Sequence, residues 1–336
     1  MSGRAFEKNI IALSANTKNT STKNKTSGAI TENDTLKSTT KKRLWMLNNL
    51  MSLFHTAFCV VTLVVGKLNL AAPIYKIVLS ANQSILSVPD WSNYSLTNLT
   101  DGWDNALNAF LSVTTEEQTF SLYMTWLVAL FFFLSAFFHF GNANLWNKHY
   151  ISYLEIQQSP FRWIEYTFSA SVMILIVGYG AGIRIDVELF MLFVLIATTM
   201  FFGHLTETIS KQSKTEDEWT LPLSQRLTPH LMGYLPQISA WVVILYVFLS
   251  NSEGAPEFVS IIVWTELALF FSFGFVQLAV LLRKPSKYIQ GEFAYQVLSL
   301  VSKGLLGVIM LVNVIFLGSW TCIVPALEEK MPQGYC

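Results

Sequence analysis

Lys303 is the residue of this sequence with the most chemistry to offer. It stands inside the apolar run Tyr295-Gln296-Val297-Leu298-Ser299-Leu300-Val301-Ser302-Lys303-Gly304-Leu305-Leu306. In a helix that starts near residue 292 it lies ~16 Å deep at 1.5 Å per residue. A lysine stem cannot carry its ammonium to water from that depth, which disfavours snorkelling. Three outcomes remain: the amine loses its proton, finds a carboxylate, or is used covalently as a Schiff base.

A carboxylate is available in Pro160-Phe161-Arg162-Trp163-Ile164-Glu165-Tyr166-Thr167-Phe168-Ser169-Ala170-Ser171. If both segments are helices running the same way across a membrane, side chains lean toward the N-terminus and Lys303 reaches back to the half that holds Glu165. Glu165 is followed one turn later by Ser169 and preceded by Arg162, which together predict a compact polar face.

The elements that position these groups follow from composition. The 336 residues are 52% hydrophobic and only 13% charged, a balance that points to lipid. Apolar stretches near 45–66, 120–141, 161–181, 186–206, 233–250, 257–282 and 292–318 are long enough to span a ~30 Å hydrocarbon core. They lack the alternation of barrel strands, so backbone bonding inside a bilayer leaves helices. The expected fold is an all-α membrane protein, a seven-transmembrane helix bundle.

Residues 1–43 are rich in Ser, Thr, Asn and Lys and are expected as a disordered tail; no signal peptide precedes the first span. Lys41, Lys42 and Arg43 at its mouth place the N-terminus in the cytoplasm under the positive-inside rule. Lys148, Lys211, Lys214, Arg226, Arg283, Lys284 and Lys287 then fall inside, against Lys67, Lys76 and Arg184 outside. The C-terminus comes out extracellular. The helical domain is expected over 44–320, with a long extracellular loop at about 67–119 and a short extracellular tail over 321–336.

That loop carries sequons at Asn82, Asn93 and Asn98, weak signals alone. Its Ile85, Val88, Trp91, Tyr94 and Leu96 suggest a small sheet or a partner-facing surface. Cys59, Cys322 and Cys336 have no metal or redox spacing; Cys322 and Cys336 either pair outside or stay free thiols. With no phosphate loop, zinc pattern or nucleophile elbow, soluble-enzyme readings, metal sites and nucleic-acid binding find no support.

Charges inside spans cost about 2.5–3.5 kcal/mol on insertion scales, so each is a functional candidate. Besides Lys303 and Glu165 these are Glu266 in the sixth span and Glu207 near the inner end of the fourth. His55 and His139 fall in the same half as Glu165. For each histidine, structural hydrogen bonding stands beside proton chemistry; for Glu266, a protonated, interhelically bonded carboxyl stands beside a proton path. Ser169, Ser299 and Ser302 either hydrogen-bond around the lysine or simply pack helices. Phe131 to Phe133 is expected as lipid contact.

The mid-helix lysine with an Arg-x-x-Glu-x-x-x-Ser face in the third span resembles microbial-type retinal proteins. Ser299 where proton pumps carry a second acid, Ile176 where they carry a donor acid, and the inverted topology resemble the heliorhodopsins more closely. So do Phe54-His55-Thr56, Ser135-Ala136-Phe137-Phe138-His139, Arg162-Trp163-Ile164-Glu165-Tyr166, Gly203-His204-Leu205 with Glu207, and Ser302-Lys303. The resemblance covers about 43–320.

It implies a light-sensing, non-enzymatic photoreceptor with all-trans retinal on Lys303 as a protonated Schiff base. Glu165 would be the sole counterion and Arg162 an organiser of nearby charge, with Ser169, Ser299 and Ser302 around the pair. His55 and His139 would form a proton-holding cluster, and Trp241, Phe270, Phe273 and Gln277 would line the retinal pocket. Some viral members conduct protons, which gives the alternative of a light-gated channel using Glu165, Glu266, Glu207 and the histidines. A homodimer in a plasma or other cellular membrane, and a signalling partner, also follow from the resemblance. A G-protein-coupled receptor is disfavoured by the inward N-terminus and by missing motifs after the third span and in the seventh.

Overall fold

A computed structural model of the chain describes residues 36–79, 114–213, 216–251 and 255–316. Among the described residues are seven helices long and apolar enough to cross a membrane, so the chain is a multipass membrane protein. They are α1 (Ser38–Val65), α2 (Met124–Phe140), α4 (Pro160–Ala181), α5 (Asp186–Ile209), α6 (Leu223–Ser250), α7 (Glu257–Leu282) and α8 (Tyr288–Met310). A short helix, α3 (Asn147–Glu155), joins α2 to α4.

Boundaries differ from the sequence reading at several ends, and most tellingly at the starts of three helices. Helix α1 begins at Ser38, inside the stretch expected as tail, where Lys41 pairs with Glu155 of α3 at 3.0 Å. Helix α6 begins ten residues early because it runs on through Pro229 and Pro236, prolines that membrane helices tolerate when neighbours re-satisfy the freed carbonyls. Helix α8 begins at Tyr288 and therefore contains Glu292, which sequence reading had left at the span's edge.

Two antiparallel strands, β1 (Ala71–Leu79) and β2 (Thr114–Tyr123), form a hairpin after α1, paired from Ala71 with Tyr123 to Leu79 with Thr114. The loop residues for which a small sheet or a partner-facing surface is expected, Ile85 to Leu96, lie outside the described residues; β1 and β2 flank them in the chain. Tyr75 N–H donates to Arg184 O at 2.9 Å and ties the hairpin to the turn between α4 and α5. Gly182 ends α4 with φ of 110°, a left-handed conformation that glycine adopts without steric cost.

Helix α4 is the most enclosed span, touching α2, α5, α6 and α7. Its buried side chains, among them Thr167, Ser169, Ser171 and Gly178, are small enough to let those neighbours approach. One large apolar core runs through the bundle, and a smaller cluster of Leu44, Tyr150, Ile151, Leu154 and Tyr288 seals the end where α3 lies. Phe131 and Phe132 are fully buried in the large core and only Phe133 is exposed. This corrects the expectation of a lipid-facing run: α2 packs against α1, α4 and α8, so most of its circumference is covered.

Candidate functional site

Lys303 of α8 and Glu165 of α4 meet in the middle of the bundle. The Lys303 ammonium donates to Glu165 Oε1, and the Ser135 hydroxyl of α2 donates to the same oxygen at 2.8 Å. Both charged side chains are almost wholly buried, where each charge is sustained only by the other and by its hydrogen bonds. Lys303 Nζ also lies 5.1 Å from the centroid of the Tyr166 ring, and that face adds cation–π attraction. Among the described residues Glu165 is the one carboxylate paired with Lys303.

The histidines of α1 and α2 are brought together beside this pair. Their rings stack at 5.7 Å, and His139 Nδ1 lies 2.8 Å from Asn48 Oδ1. Both nitrogens of His55 and Nε2 of His139 are buried without partners. Ser135, which donates to Glu165, lies one turn before His139 on α2.

Arg162 does not join Glu165. Its two terminal nitrogens donate to Glu207 of α5 and Glu292 of α8 in a buried triad, and its guanidinium lies 4.1 Å from the Tyr295 ring centroid. Three residues along a helix turn the side chain by about 300°, enough for Arg162 to look to other helices than Glu165 does. Glu207 is held further by Trp163 Nε1 at 2.7 Å and Ser159 N–H at 3.0 Å, the second of which caps the start of α4. Glu292 accepts from the Tyr150 hydroxyl of α3 at 2.9 Å. Burial and the charge of Glu292 hold the Tyr150 phenol well above its ordinary pKa, so it remains a donor.

The serines divide as well. Ser302 donates to Glu266 Oε2 at 2.8 Å rather than to the lysine pair, and Glu266 Oε1 has no partner although the residue is 1% exposed. Ser169 and Ser299 line the cavity onto which Lys303 opens.

That cavity is otherwise walled by Tyr166, Ala170, Met173, Met200, Phe270, Phe273 and Ser302. A second, larger cavity shares Tyr166, Met200, Phe270 and Phe273 and continues to Gly233, Gln237, Gly274 and Gln277. The two make an elongated space with flat apolar walls and one amine at its end, which fits an elongated polyene aldehyde. Phe270, Phe273 and Gln277 line it, while Trp241 packs edge-on against Phe270 at 5.5 Å. Gly203 is required beside it, because a Cβ there would stand 2.2 Å from the Trp163 ring.

Sequence reading missed Glu292, Ser135 as a hydrogen-bond donor to Glu165, Tyr166, Tyr295 and the polar residues His230 and Gln237. Only Glu292 carried a usable signal, a charge beside a span with no snorkelling direction assigned to it.

A family model described as Heliorhodopsin matches residues 44–315, well over half of the chain. No curated protein matches. Among solved structures, the crystal structure of a light-driven proton pump from Leptosphaeria maculans is similar over 83% of this chain and 95% of that chain, with 14% identity and a TM-score of 0.41.

Proposed function

This chain belongs to the heliorhodopsin family, and we propose that it is a light sensor that carries all-trans retinal on Lys303 as a protonated Schiff base with Glu165 as sole counterion. The observation that carries this reading is the buried Lys303–Glu165 pair at the end of an elongated apolar cavity. Bound retinal would supply a conjugated cation that absorbs visible light and changes shape by isomerising.

Every other part falls to the protein's own side chains. Glu165 offsets the positive charge at Nζ, and Ser135 fixes the oxygen that does so. Tyr166 covers the charge with its ring, while Met173, Met200, Phe270 and Phe273 exclude water. Once the charge at Nζ moves relative to Glu165, the balance that sustains both is upset and another helix arrangement is favoured. The stacked His55 and His139, with ring nitrogens that have no partner, support their assignment as the cluster that holds a proton released near Glu165. Arg162, with Glu207 and Glu292, acts at one remove, by pinning α4 to α5 and α8.

The basic-residue bias supports a cytoplasmic N-terminus and extracellular C-terminus, which puts the Arg162 triad and α3 on the cytoplasmic side, where a signalling partner would read them. The family supports a homodimer. Purified apoprotein given all-trans retinal is expected to develop a visible band; absorption that stays at the near-ultraviolet position of the free aldehyde would refute the reading.

Glu266 favours a second reading, light-gated proton conduction. It is a buried carboxyl on α7 with a free oxygen, bonded to the residue immediately before Lys303. Under voltage clamp, a light-evoked current whose reversal follows the proton gradient and which vanishes in Glu266→Gln would establish conduction. Absence of current at every voltage would leave the sensor.

A further inference from the structure

The larger of the two cavities is polar where a plain hydrocarbon would leave it unsatisfied. Gln237 of α6 lines it and is 4% exposed, yet neither its Oε1 nor its Nε2 has a partner. One turn further along the same helix face, Trp241 is 1% exposed and its Nε1–H is also without a partner. The Trp241 ring packs on Phe270, a wall of both cavities. Two kinds of donor and one acceptor are therefore buried together, and a buried polar group left unbonded costs its full desolvation.

Gln277, another wall of this compartment, is engaged at both ends: its Oε1 lies 2.9 Å from His230 Nδ1, and its Nε2 donates to Gly203 O at 2.8 Å. His230 keeps that one contact and its Nε2 has no partner, whereas Gln237 is the buried wall whose polar atoms all lack one. Because the smaller cavity opens on Lys303 and shares four walls with the larger one, a chain anchored at Lys303 delivers its far end to Gln237.

We propose that this compartment takes a ring bearing a hydroxyl group, so that the preferred ligand belongs to the class of ring-hydroxylated retinoids and Gln237 determines the preference. A hydroxyl oxygen accepts from Gln237 Nε2 and donates its proton to Gln237 Oε1. A ketone answers the donors but leaves Oε1 unmet, and an unsubstituted ring answers none. The inference rests on Lys303 as the attachment site.

The test is competition. Full-length apoprotein is offered equal amounts of all-trans retinal and all-trans 3-hydroxyretinal, and the incorporated aldehydes are extracted as oximes and quantified by chromatography. Enrichment of the hydroxylated aldehyde by about tenfold, ~1.4 kcal/mol, is expected in the wild type, with a ratio near one in Gln237→Leu. Equal incorporation by the wild type, as would follow if water completes the amide, overturns the proposal; so does a preference that survives Gln237→Leu. Incorporation of neither aldehyde refutes attachment at Lys303, and this inference with it.

Discussion

Lys303 and Glu165 stand 138 positions apart in the chain yet share one hydrogen bond in the centre of the bundle, with Ser135 donating to the same carboxylate oxygen. Three helices thus converge on a single acceptor, and the predicted colour depends on what that acceptor neutralises.

Glu165→Gln removes the negative charge and leaves the cation buried alone, which weakens its hold on a proton. The substituted pigment is expected to lose visible absorption at neutral pH in favour of a near-ultraviolet band and to regain it only on acidification. A pH titration of the spectrum checks this, and an unchanged visible band at neutral pH would count against Glu165 as sole counterion.

Arg162 should matter to stability more than to colour. Arg162→Ala leaves Glu207 and Glu292 buried without their cation, a loss of about 3–5 kcal/mol, while the Lys303–Glu165 bond is untouched. Thermal melting of the purified variant should show a large drop, with the absorption maximum of the surviving fraction close to wild type. A shift as large as that of Glu165→Gln would place Arg162 at the Schiff base after all.

These two residues also show how far the sequence could be read. Lys303 and Glu165 were legible because a charge deep in an apolar run has few outcomes, and shared helix direction fixes which half it reaches. The partners of Arg162, Glu207 and Glu292, were not legible, because its spacing from Glu165 gives angle and height on one helix but does not say which helices lie across each face. Phe131 and Phe132 escaped for the same reason, since an apolar run reads alike toward lipid and toward core. The seven spans were legible from length and hydropathy; the early start of α6 was hidden by Pro229 and Pro236, and Gln237 resembled any small-moment polar residue in a span.

Gly203 tests the packing around the cavity. A side chain there would drive into Trp163, whose indole N–H holds Glu207. Gly203→Val is expected to cost about 1–3 kcal/mol by overpacking, read as a lower melting temperature of the apoprotein. Unchanged melting would show that Trp163 has room to move.

Outside the membrane, Asp217 latches two loops: it accepts from Ser286 N–H at 2.9 Å and from Ser286 Oγ at 2.7 Å. Slight burial pushes its carboxyl up, but the bonds from Ser286 and the charges of Lys284 and Lys287 outweigh this and hold it below its usual value. A depressed folded-state pKa contributes stability above the unfolded value of about 3.9 and loses it as pH falls through the folded value. Hydrogen exchange at residues 283–287, corrected for intrinsic rates, is expected to rise as pH drops below that range, and Asp217→Asn should remove the dependence.

The covalent site itself can be read directly. Pigment formed with retinal is reduced with borohydride in the light, digested and mapped by peptide mass spectrometry. The account predicts a retinyl group on the peptide containing Lys303 and on no other lysine, with none in Lys303→Ala. A retinyl group on a different lysine, or a coloured protein that carries none, would contradict it.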